Sequence, residues 1–313
     1  MKNEWLFAKT YWSLFRKKQL QQQFLSNYIK GELSHSFDQF SPSLQFKINY
    51  YASWGVVAIS EVFATIFNKP LSEKERLQAT EMSLLFALAD ELIDEDDLNL
   101  KSISELTTKN TSHSIRYIEA QRLLVKFQDE TSIWPTLQEA IKAQIASQAQ
   151  KKTSDIDQIR SLTFEKGSWT MLLYRQLIEE KLSAQETQTV KLLGYCLQLA
   201  DDLLDAFDDT AENISTTANL IDLQKVVSHY RTQVNLAKNS FFTTYGRSKN
   251  TVKAFRTFQI LFAISEMAVD QFTKNGIISF HQTDFSSLNR SLFIVDMEKR
   301  TTVLRSLAYC GKQ

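Results

Sequence analysis

The sequence predicts an all-α fold, a single-domain helical bundle around a central cavity, and three observations carry that reading. Only 7 glycines and 3 prolines occur in 313 residues, against usual shares of about 7% and 5%, which leaves few residues for the tight turns a sheet needs. Apolar residues recur at three- and four-residue spacing in segment after segment. The capping signal S-x-x-E opens two long segments, at Ser72 with Glu75 and at Ser183 with Glu186, where hydroxyl and carboxylate satisfy orphan amides at a helix start.

Residues 1–30 read as a helix with Phe7, Tyr11 and Leu14 on one stripe, Trp5, Trp12 and Phe15 nearby, and then Arg16-Lys17-Lys18. Such a stripe lies on a membrane surface, lines an apolar entrance or packs on the core, and core packing is the preferred reading. Pro42 begins the next segment, Phe46 to Phe67 is rich in aromatics (Tyr50, Tyr51, Trp54, Phe63), and Pro70 ends it before the first capped helix. The polar stretch Asn99 to Ser114 lacks periodicity and reads as a surface loop. Helical patterns resume from Ile115 to Phe127 and from Pro135 to Gln150. In Ile159 to Leu182 the spacing is again helical, yet Gly167-Ser168 falls in the middle, where Gly costs about 1 kcal/mol relative to Ala and permits a break or kink. Lys166 beside it, with Arg160 and Thr170, supplies cations and a donor for a phosphate if that face meets a cavity; otherwise these are a surface lysine and a packing glycine. After the second capped helix comes TAENISTTAN, a polar connection that with the loop at Asn99 to Ser114 could form a lid. Helices continue from Leu220 through Phe255 to Phe272 and Leu288 to Leu307. No stretch is long or polar enough to be a linker, so one domain is expected.

Composition excludes several functions. Lys plus Arg equals Asp plus Glu at 36 each, so no global field favours nucleic acid or an anionic membrane. Neither G-x-G-x-x-G nor G-x-x-x-x-G-K occurs; a phosphate would be handled by metal and basic side chains. Cys196 and Cys310 give no disulfide framework, and His35, His113, His229 and His281 show no zinc spacing. No apolar run approaches the ~18 residues of a membrane span, and no signal-peptide pattern opens the chain, so a cytoplasmic location is expected. Asn213-Ile214-Ser215 matches a glycosylation sequon, which carries no weight without secretion.

The chemistry concentrates in Leu197 to Asp209, LQLADDLLDAFDD. As one helix it aligns Asp201, Asp205 and Asp208 in a stripe, with Asp202 and Asp209 at its edges and apolar residues on every other side. Carboxylates in such surroundings take up protons or bind a hard cation such as Mg²⁺. The stretch has a twin 111 residues earlier: Asp90-Glu91-Leu92-Ile93-Asp94 falls on Asp201-Asp202-Leu203-Leu204-Asp205, and Asp97 on Asp208. Each first Asp lies 18 residues beyond its capping Ser, roughly 27 Å along a helix. The macrodipole opposes carboxylates at a helix C-terminus, so these clusters serve something other than helix stability.

The pair Asp90-Glu91-x-x-Asp94 and Asp201-Asp202-x-x-Asp205, each late on an apolar helix, resembles the two aspartate-rich motifs of the class I isoprenoid synthases, the all-α fold of trans-prenyl diphosphate synthases, squalene and phytoene synthases, and terpene cyclases. Gly194 to Asp205, GYCLQLADDLLD, is similar to the second motif of the prenyl diphosphate synthases, and Asp201, Asp205 and Asp209 have the spacing of N-D-x-x-S-x-x-x-E in terpene cyclases. The resemblance implies two or three Mg²⁺ ions held by Asp90, Glu91, Asp94, Asp201, Asp202, Asp205 and Asp209. It also implies an allylic prenyl diphosphate substrate ionised to a carbocation, and diphosphate binding by Lys166, Arg160 and Thr170 with Gln198. Lys166 resembles a diphosphate-binding lysine on a broken helix. Phe86, one turn before Asp90, resembles an aromatic cavity wall that stabilises the cation or limits product length. A possible homodimer is implied in the same way.

The chain departs from the elongating enzymes in lacking a G-G-K-x-x-R-P stretch and an Arg-Arg after the first motif, where Lys101 is the nearest base. That favours cyclisation or prenyl coupling over chain elongation, which remains the alternative. Lys299, Arg300 and Tyr309 are candidates to reach over the site. A non-catalytic helical partner subunit and an all-α nucleotide pyrophosphohydrolase are the competing readings.

Overall fold

The computed structural model describes residues 2–94, 114–283, 290–292, 295 and 300–310. Most of the predicted loop at Asn99 to Ser114, and Asp97, Lys101 and Lys299, lie outside them. Every regular element among the described residues is helical, so the all-α helical bundle is observed. The residues group into two compact units, one of 12–146 with 169–182, the other of 1–11, 147–168 and 183–313. Helix α1 (Lys2–Glu32) opens the chain and a single turn, α2 (Ser34–Phe37), follows.

In the first unit, α3 (Pro42–Gly55) packs along α5 (Glu73–Asp94), and α6 (Ile115–Gln128) packs on α5 as well. Ser41 caps α3 by accepting from the Leu44 amide at 3.1 Å, with Pro42 in the first turn where its missing N–H is harmless. Leu44, Ile48 and Ala52, at four-residue spacing, are fully buried against α5. Beyond Gly55 the helix widens into a π turn, Val56–Ser60, and resumes as α4 (Glu61–Ile66). A Cβ at Gly55 would lie 2.8 Å from the Tyr174 hydroxyl, which is itself 2.6 Å from Ser83 Oγ. The capping box is complete: Glu75 N donates to Ser72 Oγ at 3.2 Å, and Ser72 N donates to Glu75 Oε2 at 2.8 Å. Helix α7 (Trp134–Ser147) and a 3₁₀ turn (Gln148–Lys151) lead towards α8 (Ile156–Gln176).

In the other unit, α9 (Ala184–Leu204) packs on α12 (Leu223–Tyr245) and α13 (Lys249–Lys274), and α14 (Arg300–Cys310) on α13. Ser183 Oγ accepts from Glu186 N at 3.1 Å, while the Glu186 carboxylate accepts from the Tyr245 hydroxyl at 2.8 Å. Gly246 follows α12 at φ 68°, the left-handed conformation that favours glycine after a helix. Phe241, Phe255, Phe258 and Phe262 form the aromatic seam between α12 and α13. Two short helices, α10 (Ala206–Ala211) and α11 (Thr217–Leu220), sit between α9 and α12.

The polar run at 210–219, expected as a connection and part of a lid, is exposed at 211–213 and buried at 216–219. Ser215 N donates to the Gln150 carbonyl at 2.9 Å, Gln150 Nε2 returns to the Ser215 carbonyl at 3.2 Å, and Thr217 and Asn219 are buried. The Asn219 side chain satisfies local backbone groups, accepting from Thr216 N at 2.8 Å and donating to the Ile214 carbonyl at 2.7 Å, which is why polarity alone hides the order of this stretch.

Candidate active site

The acidic stretch is not one helix. Helix α9 stops at Leu204, Asp205 takes φ −94° and ψ 2° as its C-cap, and α10 starts at Ala206. Ending the helix here relieves the opposition between its negative end and the carboxylates that follow. The expected stripe of Asp201, Asp205 and Asp208 is therefore re-sorted. Asp201 is exposed and Asp202 is buried. Asp208 turns out to Arg290, whose Nε donates at 2.7 Å and Nη2 completes a two-pronged pair.

Asp202 is held from two helices. Gln198 Nε2 donates to Asp202 Oδ1 at 3.2 Å and to Asp201 Oδ2 at 3.1 Å, and Thr163 Oγ1 on α8 donates to Asp202 Oδ2 at 3.2 Å. Burial and then the charge of Asp201 push Asp202 up to about 7, against Gln198, Lys166 and Thr163, which pull it down. Asp209 is pushed to about 9 by burial and by Asp202, Asp205 and Asp201. Asp205 keeps one side open to solvent, yet the protein around it and the charges of Asp201, Asp208 and Asp202 raise it strongly. Lys166 opposes the rise at all three carboxylates. The structure thus gathers Lys166, Thr163 and Gln198 with Asp201, Asp202, Asp205 and Asp209 around an excess of negative charge.

Helix α8 runs unbroken through Gly167-Ser168, which corrects the expected break. A Cβ at Gly167 would stand 2.4 Å from the Gly194 carbonyl oxygen and 2.7 Å from Gln198 Cβ. The bare Gly167 lets α8 touch the α9 backbone, and that close approach brings Lys166 and Thr163 to the α9 carboxylates. The backbone must yield to any side chain here, so Gly167→Ala is expected to lose roughly 2 kcal/mol despite its better helix propensity. Urea unfolding with an unchanged slope reads that loss; a variant as stable as the parent would refute the tight contact.

Of the other predicted residues, Thr170 lies half-buried one turn beyond Lys166. Arg160 lies nearly two turns before Lys166, with Nη1 3.5 Å from Asp157. Its charge acts on Tyr195 and His229, which are joined at 2.9 Å. Tyr309 donates to Asp270, and the side chain of Arg300 is outside the described residues.

The first acidic motif, at the end of α5, is built differently. Asp90 accepts from Gln144 Nε2 at 2.6 Å and from the Tyr51 hydroxyl at 3.5 Å, and pairs with Lys47 Nζ at 2.6 Å. Glu91 lies 3.8 Å from Lys47 and 4.0 Å from Arg116. Asp94 closes the helix, and its side chain is outside the described residues. Phe86 is half-exposed between fully buried Leu85 and Ala87, 6.1 Å from the Tyr174 ring, so it is not an enclosed core residue. Sequence reasoning missed Lys47, Tyr51, Arg116 and Gln144. The signal for Lys47 was present: it is the single basic residue in the aromatic segment from Phe46 to Phe67.

Among the described residues no three carboxylates, imidazoles or thiols converge as a ready-made metal cage. The donor set nevertheless suits a hard divalent cation, being anionic oxygens, recessed and mutually repelling.

No protein-family model matches the chain, and no curated protein matches it. Its fold is similar to that of a solved structure, a geranyltransferase from Legionella pneumophila, with 13% identity, a TM-score of 0.54, and coverage of 83% of this chain and 99% of that one. The chain therefore has a prenyl-synthase-like helical fold.

Proposed function

We propose that this chain is a Mg²⁺-dependent class I isoprenoid synthase that ionises an allylic prenyl diphosphate and then cyclises the product or couples it to a second prenyl unit. The observation that carries the reading is the cluster of Asp202, Asp205 and Asp209, each raised by burial and mutual repulsion, with Lys166 and Gln198 against it. Carboxylates crowded in this way gain from a divalent cation, and Mg²⁺ is usually held by one or two carboxylates, water and substrate phosphate rather than by an all-protein cage. Asp201, Asp202, Asp205 and Asp209 would hold such ions on one motif, Asp90, Glu91 and Asp94 on the other. When bound, the metal neutralises the charge that develops on the departing diphosphate. Lys166 adds a fixed positive charge and Gln198 holds Asp201 and Asp202 in register; Phe86 would be the aromatic wall that the resemblance implies.

Lys47 and Arg116 favour a second reading, a chain-elongating synthase. They place two cations beside Asp90 and Glu91 where the sequence motif for a second diphosphate is missing. The name of the structural neighbour, a geranyltransferase, fits prenyl transfer in either form.

The test is diphosphate release and product extraction from purified protein given Mg²⁺ and a panel of allylic diphosphates, each with and without isopentenyl diphosphate. A hydrocarbon or alcohol formed without isopentenyl diphosphate supports the first reading. A longer diphosphate formed only with it selects the second. Silence towards every prenyl diphosphate, with diphosphate released from nucleoside triphosphates, would replace both by a nucleotide pyrophosphohydrolase.

A further inference from the structure

Helix α1 has two faces that do different work. Phe7, Leu14, Leu25 and Tyr28 are buried, and Gln21 reaches the Ala52 carbonyl at 3.1 Å and Thr80 Oγ1 at 2.8 Å. Lys17 and Lys18 also turn inward, Lys17 onto Glu61 at 2.8 Å and Lys18 over the Trp54 ring at 4.7 Å. The opposite face carries Trp5, Lys9, Trp12, Arg16 and Leu20, spaced three and four residues apart and all exposed. Trp5 is 69%, Trp12 70% and Leu20 60% exposed, on a helix that has already met its packing needs with its other side.

An exposed indole costs free energy in water, and two of them on one stripe with a leucine make an apolar patch that calls for a partner. The charge beside it says which. On the outer face Lys9 and Arg16 stand between the apolar side chains, although the whole chain is neutral. Tryptophan settles at the headgroup level of a bilayer, and flanking Lys and Arg add attraction to anionic lipid. Among the described residues no helix is long and apolar enough to cross a membrane, so the contact would be one of lying on the surface.

We propose that the outer face of α1 docks the protein on an anionic membrane surface, with Trp5, Trp12 and Leu20 entering the headgroup layer and Lys9 and Arg16 meeting lipid phosphates. The proposal does not rest on the isoprenoid reading, although a reaction on prenyl chains would place substrate or product in the same lipid.

The test is sedimentation of the full chain with vesicles of phosphatidylcholine alone and with about one third phosphatidylserine. Binding to the anionic vesicles is expected to be at least about tenfold tighter than to the neutral ones, and to weaken with salt. Trp5→Ser with Trp12→Ser should abolish it, and Lys9→Gln with Arg16→Gln should equalise the two lipids. Both double variants should keep the parent's far-ultraviolet circular dichroism and unfolding midpoint, since the substituted side chains are on the outer face. Equal sedimentation of parent and tryptophan variant would overturn the proposal. So would self-association of the parent that the tryptophan variant loses without any vesicle binding, which would give this face to a second copy of the chain. Failure of the prenyl diphosphate assay leaves this result unaffected.

Discussion

Asp205→Asn is expected to slow diphosphate release roughly 10²- to 10³-fold and, in the same protein without metal, to raise stability at pH 8. The two effects have one origin. Asp202, Asp205 and Asp209 all have their carboxyl pKa raised in the folded state, above an unfolded value of about 3.9. A raised group holds its proton more tightly when folded. Its stabilising contribution is complete below about pH 4 and is lost as pH rises through the folded values, about 7 for Asp202 and about 9 for Asp209. Removing the charge at Asp205 removes a repulsion felt by Asp209, so less stability is lost on the way to pH 8. Thermal melts at pH 5 and pH 8, with and without Mg²⁺, separate the terms. The parent should melt lower at pH 8 than at pH 5 without metal, and Mg²⁺ should recover more of the difference for the parent than for the variant. A variant that is less stable than the parent at pH 8 would mean that Asp205 is a structural partner and not one of a repelling set.

Much of this was legible in the chain, and the reasons differ by residue. The two S-x-x-E caps are local, since a hydroxyl three residues from a carboxylate needs nothing beyond the helix start, and both hydroxyls accept the expected amide. The helix ends were harder. Five carboxylates in nine residues looked like a stripe, but a stripe assumes a straight helix, and the charge that made the stretch conspicuous accompanies the break at Asp205. Gly167 misled in the opposite direction. Glycine in a helix signals either a weak backbone or a close neighbour, and only the position of the Gly194 carbonyl decides between them. The pairing of Lys47 and Gln144 with Asp90 was out of reach for another reason, although Lys47 stood out as a lone base. Lys47 lies 43 positions from Asp90 and Gln144 lies 54, and pairing at that separation is set by helix packing, which spacing in the sequence does not encode.

The largest expected stability effect belongs to a residue with no part in the chemistry. Arg175, near the end of α8, is fully buried, with its guanidinium 4.6 Å from the Phe67 ring. It donates to three carbonyls of the turn that follows: Ile178 at 3.4 Å, Glu180 at 3.3 Å and Lys181 at 3.3 Å. These carbonyls lie in the turn just past the helix C-terminus, whose negative end favours a cation. Arg175→Ala is expected to cost about 3–5 kcal/mol, from unsatisfied carbonyls and an empty space beside Phe67. Arg175→Met refills the space and should recover only part of the loss, so a methionine variant within about 1 kcal/mol of the parent would deny the carbonyls their role. The same turn is held from its other side, where Glu75 Oε1 accepts from the Glu179 amide at 2.8 Å and from Lys69 Nζ at 2.9 Å. Burial pulls Glu75 upward, but the amides of Glu179 and Ser72 and the Lys69 ammonium hold it below the ordinary carboxylate value. Glu75 and Arg175 thus grip successive groups of one turn, and once either is lost the other holds a backbone that has already loosened. Unfolding of Glu75→Gln, Arg175→Met and their combination should therefore show a double variant that loses less than the sum of its parts.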